Sequence, residues 1–139
     1  MFTSRIYSAL SDDCRTVRKA VFMEEQGFEN EFDKTDETAL HIVVYDEQGL
    51  PAGTGRIFIG EDGCWYIGRV AVLKKYRGLS LGSMIVRGLE EAAAERGADR
   101  VCLWAQCRAS GFYEKLGYSQ TGRYHDDEGC PHVLMERRI

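Results

Sequence analysis

The stretch IGRVAVLKKYRGLSLGSMIVRGLEEAAAERGADRVCLWAQ, residues 67–106, contains the pattern that decides the fold. Its apolar runs at 67–73 and 100–106 have the composition of buried strands. Between them, apolar residues recur at the spacing of one helix face, at Leu81, Ile85, Leu89 and Ala92. A strand-helix-strand unit favours two parallel neighbouring strands. The sequence therefore predicts a mixed α/β fold.

Shorter patterns on both sides of this unit predict the remaining elements. A strand at 3–9 precedes a helix that Ser11 or Asp12 would cap and that would run to about Gln26. The turn signals EQGLP and GEDG divide the next segment into three strands of a meander. A short helix at 110–117 and two closing strands complete the predicted order β-α-β-β-β-α-β-α-β-β.

Composition argues against several classes of protein. The chain has 139 residues, 44% of them hydrophobic, which fits one domain over residues 1–139. A net charge of -4 argues against a nucleic-acid partner. No apolar run approaches the roughly 18 residues of a membrane span. Five cysteines without paired spacing are typical of reduced thiols, and His125, Cys130 and His132 match no zinc pattern. We expect a cytoplasmic protein without a metal or a membrane partner.

The segment RGLSLG, residues 77–82, joins a strand to a helix and is a candidate anion site. The first N–H groups of a helix have no partner within it, and the helix dipole adds positive charge there. Arg77 adds a full charge, while Gly78 and Gly82 let an anion approach the backbone. The loop lacks both the Gly-Lys-Ser/Thr ending of a Walker loop and the third glycine of a dinucleotide fingerprint.

The pattern Arg-x-x-(Gly)-x-Gly between a strand and a helix resembles the pyrophosphate loop of the GCN5-related N-acetyltransferase (GNAT) family. IGRVAVLKKYRG is similar to that family's central strand and loop, and AQCRASGFYEKLGY to its final helix motif. VFMEEQGFENEFD, HIVVYD, GTGR and GCPHVLMERR resemble a small bacterial subgroup, so the likeness spans residues 21–137. It implies an α/β (α+β) fold with a mixed, largely antiparallel sheet flanked by helices.

The same resemblance implies acetyl-CoA as the cosubstrate. The backbone of residues 70–72 would pair with the pantetheine arm like an added strand, and the N–H groups of 77–83 would hold the pyrophosphate. Gln106 stands where the family commonly has asparagine and retains an amide. The implied cofactor-binding residues are Val70, Ala71, Val72, Arg77, Gly78, Leu79, Ser80, Leu81, Gly82, Ser83 and Gln106.

Ser80 departs from the family pattern, which usually has glycine at this position. Serine keeps the backbone N–H and adds a hydroxyl, so we expect phosphate binding to survive if Ser80 has helix-like torsions. A left-handed conformation would instead cost about 1 kcal/mol.

Acetyl transfer from a thioester to an amine needs a proton for the departing thiolate and a donor for the carbonyl oxygen. Tyr113 coincides with the tyrosine that the resembling family often uses as general acid. Because Phe112 and Leu116 are four residues apart, we expect both to pack into the core and Tyr113 to lie on another face. A backbone N–H near Val72 would serve the carbonyl oxygen. Cys107 has no flanking histidine, which favours direct transfer.

The sequence leaves the base and the acceptor open. Candidate bases that could take the amine proton are Glu24, Glu25, Asp33, His41 and His132. The acidic loop 27–38 favours a cationic acceptor such as a polyamine, an aminoglycoside or a lysine side chain. Several arginines favour instead a phosphorylated or carboxylated amine, namely Arg56, Arg69 and Arg108. The candidate substrate-binding residues are Glu24, Glu25, His41, Arg69 and His132.

The prediction is therefore an N-acetyltransferase that moves an acetyl group from acetyl-CoA to a primary amine of a small molecule or peptide. Two alternatives remain at this point. The first is a non-catalytic acyl-CoA-binding or sensing module of the same fold, and the second is a structural partner protein that uses an exposed sheet edge. A homodimer through the closing strands would match a frequent habit of the fold.

Overall fold

A computed structural model describes residues 1–29 and 31–139. In these residues the strands are β1 Thr3–Tyr7, β2 Leu40–Tyr45, β3 Pro51–Ile59, β4 Trp65–Val72, β5 Arg100–Gln106, β6 Ser119–Asp127 and β7 Cys130–Arg138. The α-helices are α1 Asp12–Arg18, α2 Leu81–Ala94 and α3 Ser110–Lys115. A π-helix at Lys19–Glu25 and 3-10 turns at Lys34–Glu37, Lys74–Tyr76 and Cys107–Ala109 complete the elements. The predicted order of strands and helices is confirmed.

The seven strands form one sheet in the order β1-β2-β3-β4-β5-β7-β6. All neighbours are antiparallel except β4 and β5, which are parallel as the strand-helix-strand pattern predicted. The mixed, largely antiparallel sheet is thus confirmed. Among the described helices, none is both long and apolar enough to cross a membrane.

Helix α2 covers one face of the sheet. Its Ile85 and Leu89 are fully buried in the same core cluster as Ile57 of β3. Burying such a side chain contributes about 1.5–3 kcal/mol. The close approach depends on Gly55, because a Cβ atom there would lie 2.7 Å from Ile85 Cγ2.

The opposite face is covered by the first helix, whose course differs from the prediction. Ser11 caps it as expected, since its Oγ accepts a hydrogen bond from the N–H of Cys14 at 3.2 Å. The α-helical part ends at Arg18, and residues Lys19–Glu25 continue as a π-helix instead of running as α-helix to Gln26. A π turn holds an extra residue, so it changes which side chains face the sheet, and such turns are frequent at functional sites.

Strand β4 has two irregularities that open the sheet. Thr54 pairs with Ala71 and Arg56 with Gly68, so β4 has one more residue than β3 in this interval. The extra residue makes a β-bulge, in which Arg69 has a φ of 53°. Pairing between β4 and β5 ends at Ile67 and Leu103. Beyond that pair the two strands separate and leave a gap.

Candidate active site

A cavity of about 410 Å³ lies beside the gap, on the face of the sheet opposite α2. Arg56, Tyr66 and Trp104 point to this face because their neighbours in sequence pack in the core under α2. The π-helix and the loop after it supply the outer wall. The polar lining side chains are Gln26, Glu31, Arg56, Tyr66, Arg69, Trp104, Gln106, Arg108, Tyr113, His125, Asp127 and His132.

Among the described residues, the part of β4 beside the gap is not paired with β5. The N–H of Leu73 donates to the carbonyl of Ala52 on β3 at 2.9 Å. Because N–H groups alternate along a strand, those of Ala71 also face β3, while those of Val70 and Val72 face the gap. In the described structure, β5 pairs with neither valine. The three residues therefore differ in direction, since the N–H of Ala71 points to β3 and those of the two valines point to the gap.

The glycine-containing loop lies at the end of β4 and opens α2. Gly78 has a φ of 85°, and Ser80 lies in the left-handed region with φ 63° and ψ 23°. The condition that Ser80 has helix-like torsions is therefore not met, so its Cβ is strained by about 1 kcal/mol. Gly82 lies under the ring of Phe112, where a Cβ would be 2.8 Å from Cζ. The loop from Arg77 to Ser80 is exposed. The N–H of Arg77 donates to the carbonyl of Lys74 at 3.3 Å, so the N–H groups that follow it, from Gly78 to Ser80, are the ones an anion could reach.

Arg77 connects this loop to the end of the π-helix. Its two terminal nitrogens donate to the carboxylate of Glu25, both at 2.6 Å, and its Nε donates to the Val72 carbonyl at 3.0 Å. The hydrogen bond from Arg77 lowers the pKa of Glu25. The two side chains are 41% and 39% exposed, so water competes for this pair.

The acidic loop borders the cavity, and three of its carboxylates are paired with arginines. The cluster contains Arg18, Arg56, Arg69, Glu31, Asp33 and Asp36. Buried Arg18 donates to Asp36 at 2.7 Å and to Glu31 at 2.9 Å. Burial alone would raise the pKa of Asp36, but hydrogen bonds from Arg18, the N–H of Asp33 and Arg56 hold it well below its usual range. Most of the loop's negative charge is therefore neutralised within the protein.

Two side chains on the cavity wall, Glu31 and Arg56, have unusual surroundings. Burial raises the pKa of Glu31 although Arg69 and Arg18 attract its charge. Arg56 is 5% exposed, and its Nε is buried without a hydrogen-bond partner among the described residues. The sequence did not single out Glu31, because nothing local distinguishes it from the other acidic residues of its loop.

Gln106 lies at the end of β5, where the gap begins. Its Nε2 donates to Gln26 Oε1 and its Oε1 accepts from Arg108 Nε, each at 2.9 Å. The amide thus bridges the two sides of the cavity. Gln26 is a further lining residue that the sequence analysis missed, because its position depends on the π turn.

Tyr113 lines the cavity, and α3 is rotated relative to the prediction. Tyr113 and Leu116 pack against the core, whereas Phe112 is 36% exposed, so the expectation that Phe112 packs into the core is wrong. Burial raises the pKa of Tyr113, and within the described residues its hydroxyl has no hydrogen-bond partner. A protonated donor therefore faces the cavity.

Two histidines and a tryptophan form an aromatic stack at the other end of the cavity. The His125 and His132 rings are 5.4 Å apart and nearly parallel, and His125 is 4.3 Å from Trp104. His132 Nδ1 lies 2.8 Å from the Cys130 carbonyl oxygen. In the part of the chain that the structure describes, no three His, Cys, Asp or Glu side chains are grouped to hold a metal ion.

Three residues proposed for the acceptor lie outside the cavity. Glu24 is exposed, and Glu25 is the partner of Arg77. His41 is 1% exposed, and its Nε2 lies 3.0 Å from the carbonyl oxygen of Asp36. Burial lowers the pKa of His41.

Comparison with known proteins agrees with this geometry. YyaT of Bacillus subtilis (strain 168) is 41% identical over 129 residues, covering 88% of this chain and 85% of that protein. YjcF of the same strain, named an uncharacterized N-acetyltransferase, is 40% identical over 126 residues, covering 88% and 89%. The crystal structure of Escherichia coli ElaA matches with a TM-score of 0.86 at 27% identity, covering 99% of this chain and 100% of that chain. The model of the acetyltransferase (GNAT) family matches residues 3–118, and the chain belongs to that family.

Proposed function

We propose that residues 1–139 form one domain that transfers an acetyl group from acetyl-CoA directly to a primary amine. Members of the GNAT family use an acyl-CoA as cosubstrate. The observation that carries the proposal is the gap between β4 and β5, which presents strand N–H groups beside a helix amino terminus and leads into a cavity. Acetyl-CoA has a part that suits each of these three features. Its pantetheine arm could pair with the strand N–H groups, its pyrophosphate could lie at the helix amino terminus, and its thioester could enter the cavity.

Acetyl-CoA would lie along β4 in this proposal. The amides of its pantetheine arm would exchange hydrogen bonds with Val70 and Val72 as an added strand does. The pyrophosphate would accept hydrogen bonds from the loop of residues 77–83 at the start of α2, where the helix dipole favours negative charge. The acetyl group would then reach the cavity near Gln106.

The chemistry requires two proton transfers. The amine nitrogen attacks the thioester carbon, the carbon-sulfur bond breaks, and the products are an N-acetyl amine and the thiol of CoA. The nitrogen loses a proton, and the departing thiolate gains one. We assign the second transfer to Tyr113, whose hydroxyl faces the cavity without a partner among the described residues.

The raised pKa of Tyr113 affects this transfer in two ways. It keeps the phenol protonated, so the donor is present at neutral pH. It also makes complete proton transfer to a thiolate more unfavourable than the about 2 kcal/mol that separates an ordinary phenol from a thiol. Tyr113 therefore contributes mainly by donating a hydrogen bond to the sulfur as it gains charge.

We further propose that the acceptor amine bears a carboxylate or a phosphate. The acidic loop cannot attract a polycation strongly, because Glu31, Asp33 and Asp36 are already paired with arginines. Arg108 is exposed on the cavity wall, where Arg56 and Arg69 add further guanidinium groups. These donors favour an anionic group on the acceptor.

Matched amines test both parts of the proposal. Thiol release from acetyl-CoA is measured with phenylalanine and phenethylamine, with glucosamine 6-phosphate and glucosamine, and with spermidine. We expect the anionic member of a pair to have a kcat/KM higher by about 10- to 100-fold, the scale of a charge-assisted hydrogen bond. Higher activity on spermidine would contradict the anionic acceptor. Binding of acetyl-CoA without turnover on any amine would instead favour the sensing module.

A homodimer remains a separate proposal. Eight of the nine residues of β6 are exposed, and this strand forms one edge of the sheet. A second copy would cover that edge through the closing strands. Light scattering that gives a mass of 15.7 kDa at working concentration would contradict the dimer.

A further inference from the structure

The surroundings of the five candidate bases show which of them could take a proton from an amine in the cavity. Glu25 and Asp33 are held in ion pairs with arginines. His41 is buried in a hydrogen bond to a carbonyl, and Glu24 is exposed away from the cavity. Of these five described side chains, His132 alone lines the cavity.

The hydrogen bond of His132 determines which ring nitrogen can act. Its Nδ1 lies 2.8 Å from the carbonyl oxygen of Cys130. A carbonyl oxygen only accepts hydrogen bonds, so Nδ1 must carry a proton. In the neutral ring, Nε2 then has no hydrogen and presents a lone pair. A ring in this tautomer can accept a proton at Nε2 without first reorganising.

The position of His132 suits the transfer. It is the strand partner of Gln106, the last residue of β5, where the gap between β4 and β5 lies open. The parallel ring of His125, stacked in turn on Trp104, restricts its rotation. Tyr113 lines the same cavity, so the proposed acid and a base would act in one space.

We infer that His132 is the general base of the reaction, an inference that rests on the proposed acetyl transfer. Nε2 takes the proton from the acceptor nitrogen as it attacks, the ring becomes an imidazolium, and that proton then passes to solvent. At the other end of the breaking bond, the sulfur leaves with a hydrogen bond from Tyr113 and gains its proton through that phenol, which regains a proton from solvent. Both transfers balance with the products, an N-acetyl amine and CoA thiol.

The two carboxylates on the cavity wall, Glu31 and Asp127, are less suited to this role. The charged or titratable side chains that line the cavity with His132 are Glu31, Arg56, Arg69, Arg108, His125 and Asp127, with the phenols Tyr66 and Tyr113. Glu31 is held by Arg18 and Arg69. Asp127 has a carboxylate, which is a much weaker base than an imidazole.

Kinetics of His132→Ala test the inference. We expect kcat near pH 7 to fall by about 100- to 10,000-fold, the usual contribution of a general base. The dissociation constant of acetyl-CoA should stay within about threefold. Activity of the variant should rise with pH as more of the amine is free, and added imidazole should restore part of the rate. A residue with a merely structural role would show neither the altered pH profile nor the rescue.

His125→Phe is the matched variant, because it keeps a stacked ring and removes the second imidazole. Because His125 only positions the ring of His132, we expect the kcat of this variant to fall by less than that of His132→Ala. If His125→Phe abolished activity while His132→Ala retained it, the base would be His125 and the inference would be wrong.

The nitrogen of His132 that carries the proton can be identified by spectroscopy without an acceptor amine. Long-range ¹H–¹⁵N correlation spectra of protein labelled at histidine nitrogens report which nitrogen carries the proton. We expect the proton of the neutral His132 ring to be on Nδ1. A proton on Nε2 would overturn the inference even if amines are acetylated. Wild-type protein that turns over no amine would overturn the proposed function and this inference with it, whereas full activity of His132→Ala would overturn the inference alone.

Discussion

Tyr113 holds its proton more firmly than a phenol in water, because burial raises its pKa. We expect Tyr113→Phe to lower kcat by about 10- to 1000-fold, since only the donor is removed and the ring remains. Binding of acetyl-CoA should stay within a few-fold. The measurement is single-turnover thiol release, where chemistry limits the rate.

Tyr118→Phe is the control for that substitution. Tyr118 is buried near Tyr113, but its hydroxyl donates to Glu90 at 2.7 Å and does not line the cavity. Its loss should reduce stability and leave kcat within about threefold. Wild-type turnover in Tyr113→Phe would show that the thiolate leaves unaided or takes its proton from water.

Arg77 can reach a phosphate only by leaving Glu25. Exposed pairs of this kind contribute at most about 1 kcal/mol, so a doubly charged pyrophosphate can displace the carboxylate. We expect Arg77→Ala to weaken acetyl-CoA binding by about 1–3 kcal/mol in isothermal titration. Glu25→Gln should leave the affinity unchanged or increase it, because it frees the guanidinium. Equal losses in both variants would mean that Arg77 acts by tying the loop to the π-helix.

Ser80 has a φ of 63°, which glycine adopts without strain. We expect Ser80→Gly to change stability by less than about 1 kcal/mol, because relief of strain is offset by the greater freedom of glycine in the unfolded chain. Acetyl-CoA affinity should stay within about twofold, since the N–H that meets the phosphate is retained. A tenfold loss of affinity would show that the serine hydroxyl contacts the phosphate.

The prediction for single residues failed where the rotation of a helix about its own axis determines which side chains face the core. The spacing of four predicted that Phe112 and Leu116 would share the inner face of α3, but a six-residue helix has too few turns to determine which face packs inward. Phe112 lies instead over Gly82 of α2, a contact between elements that no local pattern contains. The surroundings of the carboxylates could not be predicted for the same reason. Glu31 and Asp36 differ from Glu24 because they pair with arginines that are distant in sequence.

At the level of elements, Arg18 connects the first helix to the acidic loop. Its side chain is 1% exposed and pairs with Glu31 and Asp36. Removing one partner of a buried ion pair leaves uncompensated charge and typically costs about 3–5 kcal/mol. We therefore expect Arg18→Met to lower the free energy of unfolding by that amount in urea titration. Arg15→Met, on an exposed position of the same helix, should change it by less than about 0.5 kcal/mol.

A loss below about 1 kcal/mol in Arg18→Met would mean that the two carboxylates become protonated or hydrated at little cost. The cluster would then be a local arrangement of charges and would contribute little to stability. The position of Glu31 on the cavity wall would also not depend on Arg18.

The regular elements were predictable because their patterns are local. Strand alternation, the turn signals and the helix spacing each lie within a few residues, and β5 was predicted with its observed bounds, Arg100–Gln106. The π-helix and the β-bulge were not predicted. Both depend on how neighbouring elements fit together, and Arg69, at a positive φ, is not a residue type that marks such a position.

For the whole molecule, the parallel contact between β4 and β5 joins the two parts of the sheet through three residue pairs. A ligand that lies in the gap would add hydrogen bonds across it and bind the folded state alone. At a concentration 100 times its dissociation constant, such a ligand stabilises the fold by about 2.7 kcal/mol. Thermal unfolding would register that stabilisation, but it would not show where the ligand lies.

Amide hydrogen exchange can locate the ligand, because adjacent residues of β4 face opposite ways. In the free protein we expect the N–H groups of Val70 and Val72 to exchange quickly and that of Ala71 slowly, since the N–H of Ala71 points to β3 and those of the two valines point to the gap beyond the last β4–β5 pair. With saturating acetyl-CoA, exchange at the two valines should slow by more than about tenfold relative to Ala71, because a pantetheine arm in the gap would cover them. The matched measurement uses CoA without the acetyl group, which should protect the same amides. Unchanged exchange at Val70 and Val72 in a saturated complex would mean that the cosubstrate binds elsewhere on the molecule.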